Sequence, residues 1–176
     1  FGGSNIAIGR DALVYNTTGN NNTAVGYNSL ALNTIGSNNS AFGKYALYAN
    51  TTGILNTAVG VNALNANTIG TSNSAFGIYA LLVNTTGYNN TAVGRSSLQA
   101  NTIGYNNVAV GCKSLFSNLC GHNNVAIGAE ASCGNLCGNY NVAIGCTALM
   151  CNCNGCSNVA IGYVALNKNT ASNNIG

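Results

Sequence analysis

The sequence predicts an all-β fold, a parallel β-solenoid of about ten coils with 17 residues to the coil. Three observations predict it. One repeat length runs through the chain without insertion. Each repeat holds an Ala-Val/Ile/Phe-Gly triplet that alternates with period two, as a short strand does. The 176 residues include 23 Gly and no Pro, which suits strands paired on both sides and closed by tight corners.

The glycines that close the triplets set the period. Gly9, Gly26 and Gly43 are 17 apart, and the step continues unbroken to Gly162. Ala7 to Ala160 and Asn5 to Asn158 keep the same step. A second Asn column runs from Asn16 to Asn169, and a second Gly column runs from Gly2 to Gly155 and fails at Ser172. A Leu column runs from Leu13 to Leu166, broken at Ser132. Seventeen residues with two glycines are too few for a pair of helices. Stacked coils give each column a role. Glycine supplies positive φ or room at corners. Alanine fits the thin part of the interior and leucine fills the wide part. The Asn columns stack their amides from coil to coil and satisfy corner backbone groups.

The chain reads as one solenoid domain, residues 1–176, with two zones. The first, 1–107, is rich in Thr and Asn, and from residue 23 to residue 77 Thr-Ala-Val-Gly alternates with Ser-Ala-Phe-Gly, a unit two coils long. In 108–176 the residue before Ala becomes Val, and all eight Cys fall between Cys112 and Cys156. Both termini interrupt the pattern, so the sequence is expected to be a segment of something longer.

Composition narrows the function. Five basic and two acidic residues leave a net charge of +3, with none of the dense basic face that binds nucleic acid. No run of residues approaches the roughly 18 apolar positions of a membrane-spanning helix. Asp11 and Glu130 lie seven coils apart, about 34 Å, and there is one His, so acid–base catalysis is not expected. No cofactor motif follows any strand.

Strand alternation assigns the outer surface. With Ala24 inside, Thr23 and Val25 point out. The outward column is then Ile8, Val25, Phe42, Val59, Phe76, Val93, Val110, Ile127, Ile144 and Ile161. The opposite assignment, with Ala outside, fits the Val-to-Phe variation less well. An apolar stripe of about 500 Å² or more is at the limit of what monomers expose, so a second copy of the chain is the expected cover.

The Asn-x-Ala-Ile/Val-Gly-x-x-Ala pattern resembles the head repeats of trimeric autotransporter adhesins. The longer form, with Ala-Leu-x-x-Asn-Thr-Thr-Gly, is similar to repeats of viral and phage fibres. The resemblance implies a left-handed β-roll, a homotrimer, and an extracellular place on a cell or virion surface. It departs from the adhesin pattern in its longer coil and its cysteines.

Stacking also predicts cysteine distances. Cys120 and Cys137 share a column on adjacent coils, about 5 Å apart, within disulfide range. Cys133 and Cys151 are offset by one position and are a second candidate pair. Free thiols remain an alternative, as does a thiolate metal site using Cys151, Cys153 and Cys156 near His122, though the paired knuckles of a zinc site are missing. Six glycosylation sequons start at Asn16, Asn21, Asn38, Asn50, Asn84 and Asn89, or are by-products of the Asn and Thr columns. Tyr88 and Tyr105 stack in one loop column, and Tyr45 and Tyr79 recur in another.

The leading functional expectation is a structural shaft of an extracellular fibre, not an enzyme. The alternative is an adhesin head that binds host glycan or matrix. Ice binding through Thr17, Thr34, Thr51, Thr68, Thr85 and Thr102 ranks third, because Leu119, Leu136 and Cys153 interrupt the rank.

Overall fold

Ten three-residue strands, one per repeat, stack in chain order into a single parallel sheet. They are β1 (Ile6–Ile8), β2 (Thr23–Val25), β3 (Ser40–Phe42), β4 (Thr57–Val59), β5 (Ser74–Phe76), β6 (Thr91–Val93), β7 (Val108–Val110), β8 (Val125–Ile127), β9 (Val142–Ile144) and β10 (Val159–Ile161). The computed structural model describes residues 2–176. Every pair is in register at one repeat, as in Ala24 opposite Ala41 and Ala126 opposite Ala143. The result is a parallel β-solenoid of about nine turns, roughly 43 Å along its axis. Among the described residues there is no helix long and apolar enough to cross a membrane.

The interior is the strand alanine column, the leucine column and a third column of small residues just before the leucines (Ala46, Ala63, Ala80, Ala131 and Ala148, with Ser29, Ser97 and Ser114), bounded by two amide ladders. Ala24, Ala41 and their equivalents to Ala160 are fully buried, as are Leu30, Leu47, Leu64, Leu81, Leu98, Leu115 and Leu149. In the first ladder Asn39 Nδ2 donates to Asn22 Oδ1 at 3.2 Å and to the Gly53 carbonyl at 2.9 Å. The Asn39 amide N–H also donates to Asn22 Oδ1, at 3.0 Å. In the second ladder Asn50 Nδ2 donates to Asn33 Oδ1 at 2.8 Å and to the same Gly53 carbonyl at 3.0 Å. One glycine carbonyl thus joins both ladders in every coil up to Gly155. Pairing buried amides this way avoids a penalty of about 1–3 kcal/mol per unsatisfied group.

The two glycine columns answer different demands. Gly60 has φ +135°, a region side chains avoid, and a Cβ there would lie 2.6 Å from the Gly77 carbonyl oxygen. Gly53 has no such φ. Its Cβ would instead lie 2.5 Å from the Gly70 carbonyl oxygen, against the amide ladders. The first column is required by conformation and space, the second by space alone.

Each coil also holds non-glycine residues at positive φ. In the second coil these are Asn28 at 53°, Leu30 at 49° and Asn38 at 60°. Asn enters this conformation more readily than other side chains; Leu does so at a cost of about 1 kcal/mol or more. Full burial of the leucine side chain returns about 2 kcal/mol, which holds the strained backbone in place.

The repeat shortens once. Asn174 takes the ladder position beyond Asn158 after 16 residues, and Ile175 bridges Val159. Ala171 then stands opposite Gly155, where the second glycine column would have continued. The missing residue draws Asn169 Nδ2 to Asn158 Oδ1 and the Ala171 carbonyl. Asn152 Oδ1 is left buried with no partner among the described residues.

Candidate functional site

The apolar column faces outward. Ile8 and Ile161 are 60% exposed, Phe42 and Phe76 42%, Ile127 40%, and Val59 and Val93 37%. Val25, Val110 and Ile144 are half-buried in the same line. The alanine between each pair of outward residues is fully buried from β2 to β10, as strand alternation requires. The stripe runs along all ten strands without a polar interruption.

Other apolar side chains are exposed but discontinuous. Ile35, Ile69 and Ile103 are 54%, 53% and 55% exposed, and Thr18, Thr52 and Thr86 alternate with them. Beside them the regular threonine rank turns its hydroxyls onto the protein itself. Thr34 Oγ1 donates to the Thr51 carbonyl at 3.0 Å, and the pattern repeats from Thr17 to Thr102, whose acceptor is Leu119. There is no second unbroken threonine rank next to it.

The cysteine zone holds one covalent tie. Cys120 and Cys137 form a disulfide between adjacent coils, with Cα atoms 4.9 Å apart. The second expected pair does not form: Cys133 and Cys151 are both free thiols. Both lie in turns and are one position out of column, so the stacking that sets Cys120 over Cys137 does not set one over the other. Cys133 is half-buried and Cys151 exposed. Burial, with the Glu130 carboxylate nearby, pushes the Cys133 thiol above its ordinary pKa, so it carries less thiolate at a given pH. Cys112, Cys146, Cys153 and Cys156 are also free. Among the described residues no three His, Cys, Asp or Glu side chains converge as a metal site.

The sequons divide into two sets. Asn21, Asn38 and Asn89 are exposed. Asn50 and Asn84 are 0% exposed and belong to the second amide ladder, so they cannot carry a glycan on the folded chain. Asn16 is half-buried at the start of that ladder, where its Oδ1 accepts from Asn33 at 2.8 Å.

Aromatic residues gather in two places. Tyr88 and Tyr105 stack with centroids 4.9 Å apart and planes 4° from parallel. His122 continues the stack on Tyr105 at 4.6 Å, and Tyr140 closes it edge-on. The flat faces of the middle rings are therefore spent on each other. His122 is held by Asn123, whose Nδ2 lies 2.9 Å from Nδ1, so this loop histidine is a rung of the stack.

No family model, curated protein or solved structure matches the chain.

The second aromatic group, at the N-terminal coils, is one that reading along columns finds only in part. Tyr27, Tyr45 and Tyr48 meet edge to face at 5.3 and 5.5 Å. Arg10 and Lys44 sit over the Tyr27 ring at 5.3 and 5.8 Å. Arg10, Tyr27 and Lys44 share one column, so counting in steps of 17 stacks them, but Tyr45 and Tyr48 lie in two others and are not connected by it. The available signal is their crowding within residues 10–48.

Proposed function

We propose that the chain is the shaft of an extracellular fibre, on a virion or a cell surface, and that it self-associates as a homotrimer through its apolar stripe. The observation that carries this reading is the continuity of the outward Val/Ile/Phe column over ten strands. An exposed apolar line of that length favours association about the rod axis, where each copy buries the same stripe. Stacked backbone bonds and amide ladders supply stiffness along the axis. The resemblance to trimeric adhesin heads supports the count of three and a left-handed coil. The cross-coil disulfide supports an oxidising, extracellular setting.

Light scattering with and without reductant tests the proposal. A mass three times 17.7 kDa that survives reductant is expected. Phe42→Lys with Phe76→Lys should lower it toward one chain. A monomer in wild type overturns the stripe as an interface. A mass that falls only on reduction moves the joint to the free thiols between Cys112 and Cys156.

A further inference from the structure

We propose that a cleft at the second coil is a binding site for a single hexopyranose residue. The inference is independent of the fibre-shaft reading, because none of the cleft's lining residues belongs to the apolar stripe: Asn28 lies three and Ala31 six positions beyond Val25.

The cleft arises from one small side chain. In the column that follows the buried leucines, Ala31 stands between Val14 and Tyr48. Elsewhere that column holds Asn65, Leu82, Gln99, Phe116, Cys133, Met150 and Asn167, all larger. Where stacked coils place one side chain above another, a single alanine between larger neighbours leaves a slot one side chain thick. The cleft has a volume of about 270 Å³, with Tyr15 and Tyr48 among its walls. That is just below the range of about 300–1,000 Å³ typical of drug-sized ligands, and it suits one small ring.

The lining matches a sugar's two surfaces. Tyrosine rings attract the weakly positive C–H faces of a pyranose through their negative π-faces. The hydroxyls need hydrogen-bonding groups that are not already used. Asp11 and Asn28 reach the cleft from the neighbouring corner column. Asp11 Oδ2 accepts from Arg10 Nε at 3.1 Å, while its Oδ1 has no partner among the described residues. The Asn28 side-chain amide has none among them either, although Asn side chains in both interior ladders are paired. A carboxylate oxygen, a free primary amide and two phenols beside aromatic walls can satisfy both the hydroxyls and the apolar face of a hexose.

Saturation-transfer NMR on the intact chain tests this, with methyl glucoside, galactoside, mannoside and N-acetylglucosaminide as probes. At least one should take up saturation on its ring protons, with a Kd of about 1–10 mM. Ala31→Gln fills the slot with a residue the column already accepts at Gln99, and should abolish the signal while circular dichroism stays unchanged. Tyr48→Ala should weaken binding about three- to tenfold. Asn28→Ser installs the residue that Ser96 already places at the same positive-φ position. It checks the polar side without disturbing the core and should also weaken binding. Tyr88→Ala, in the distant stack, should change nothing. No saturation with any of the four probes overturns the proposal. So does binding that survives both Ala31→Gln and Asn28→Ser.

Discussion

Residues 2–107 and residues 108–176 share an interior and differ in how one outer corner is tied from coil to coil. In the first zone each threonine from Thr17 to Thr102 donates its hydroxyl to the carbonyl one coil further on. In the second zone Leu119, Leu136 and Cys153 hold that column and cannot. The next column carries the Cys120–Cys137 disulfide instead. Backbone bonding along the corner continues across the change: Thr68 N–H donates to Thr85 at 3.0 Å, and Leu119 N–H donates to Leu136 at 2.8 Å. The interior columns fix the coil, and the outer ones are free to exchange a hydrogen bond for a covalent link. The second zone also carries a core defect at Ser132, whose hydroxyl is buried without a partner where other coils have leucine.

The largest expected effect ignores the zones altogether. Gly60→Ala and Gly128→Ala each place a Cβ 2.6 or 2.5 Å from the next coil's glycine oxygen, at φ +135° and +133°. Each should destabilise the rod by about 3 kcal/mol or more in urea titrations. A clear difference between them would mean the two interiors are not equivalent. Next comes Cys120→Ser with Cys137→Ser, which should cost about 3 kcal/mol for a loop of this length. Hydrogen exchange should quicken at Leu119 and Leu136 and stay unchanged at Thr51 and Thr68; a uniform loss would show that the zones melt as one. Ser132→Leu should stabilise the second zone by about 2 kcal/mol, because the position already has φ 50°, within the range the column's leucines adopt. A destabilised variant would show that the gap has closed around the serine. The smallest effect is Thr68→Val, about 0.5 kcal/mol, since Thr85 keeps its backbone donor. A loss several times larger would make the hydroxyl rank a main tie of the first zone.

Most of the fold was legible because a fixed period turns sequence spacing into distance. The inward Ala7-to-Ala160 column, the outward Val/Ile/Phe column and the Cys120–Cys137 contact all follow from counting in steps of 17. The burial of Asn50 and Asn84 was legible too, because both belong to an amide-stacking column; the local sequon pattern pointed the other way. Positive φ at the leucines was not legible. Local preference opposes it; burial of the side chain offsets that preference at Leu30 and its equivalents, and at exposed Leu55, Tyr79 and Tyr140 the backbone bonds between coils hold the same φ. The cleft beside Ala31 was hidden because it depends on neighbours in several columns, whereas the repeat reads one column at a time.

The amide ladders give the rod a direction. Backbone bonds between coils run both ways, as in Leu30 N–H to Ala46 and Gly26 N–H to Ile8. From one ladder rung to the next, Nδ2 donates to the Oδ1 of the preceding coil, as Asn39 does to Asn22 and Asn50 to Asn33, while the threonine hydroxyls donate to the following coil, as Thr34 does to Thr51. The two faces of every coil are therefore different. A coil stacked beyond another must bring amide donors to the ladders and carbonyl acceptors to the threonine rank, and it can do both in only one orientation.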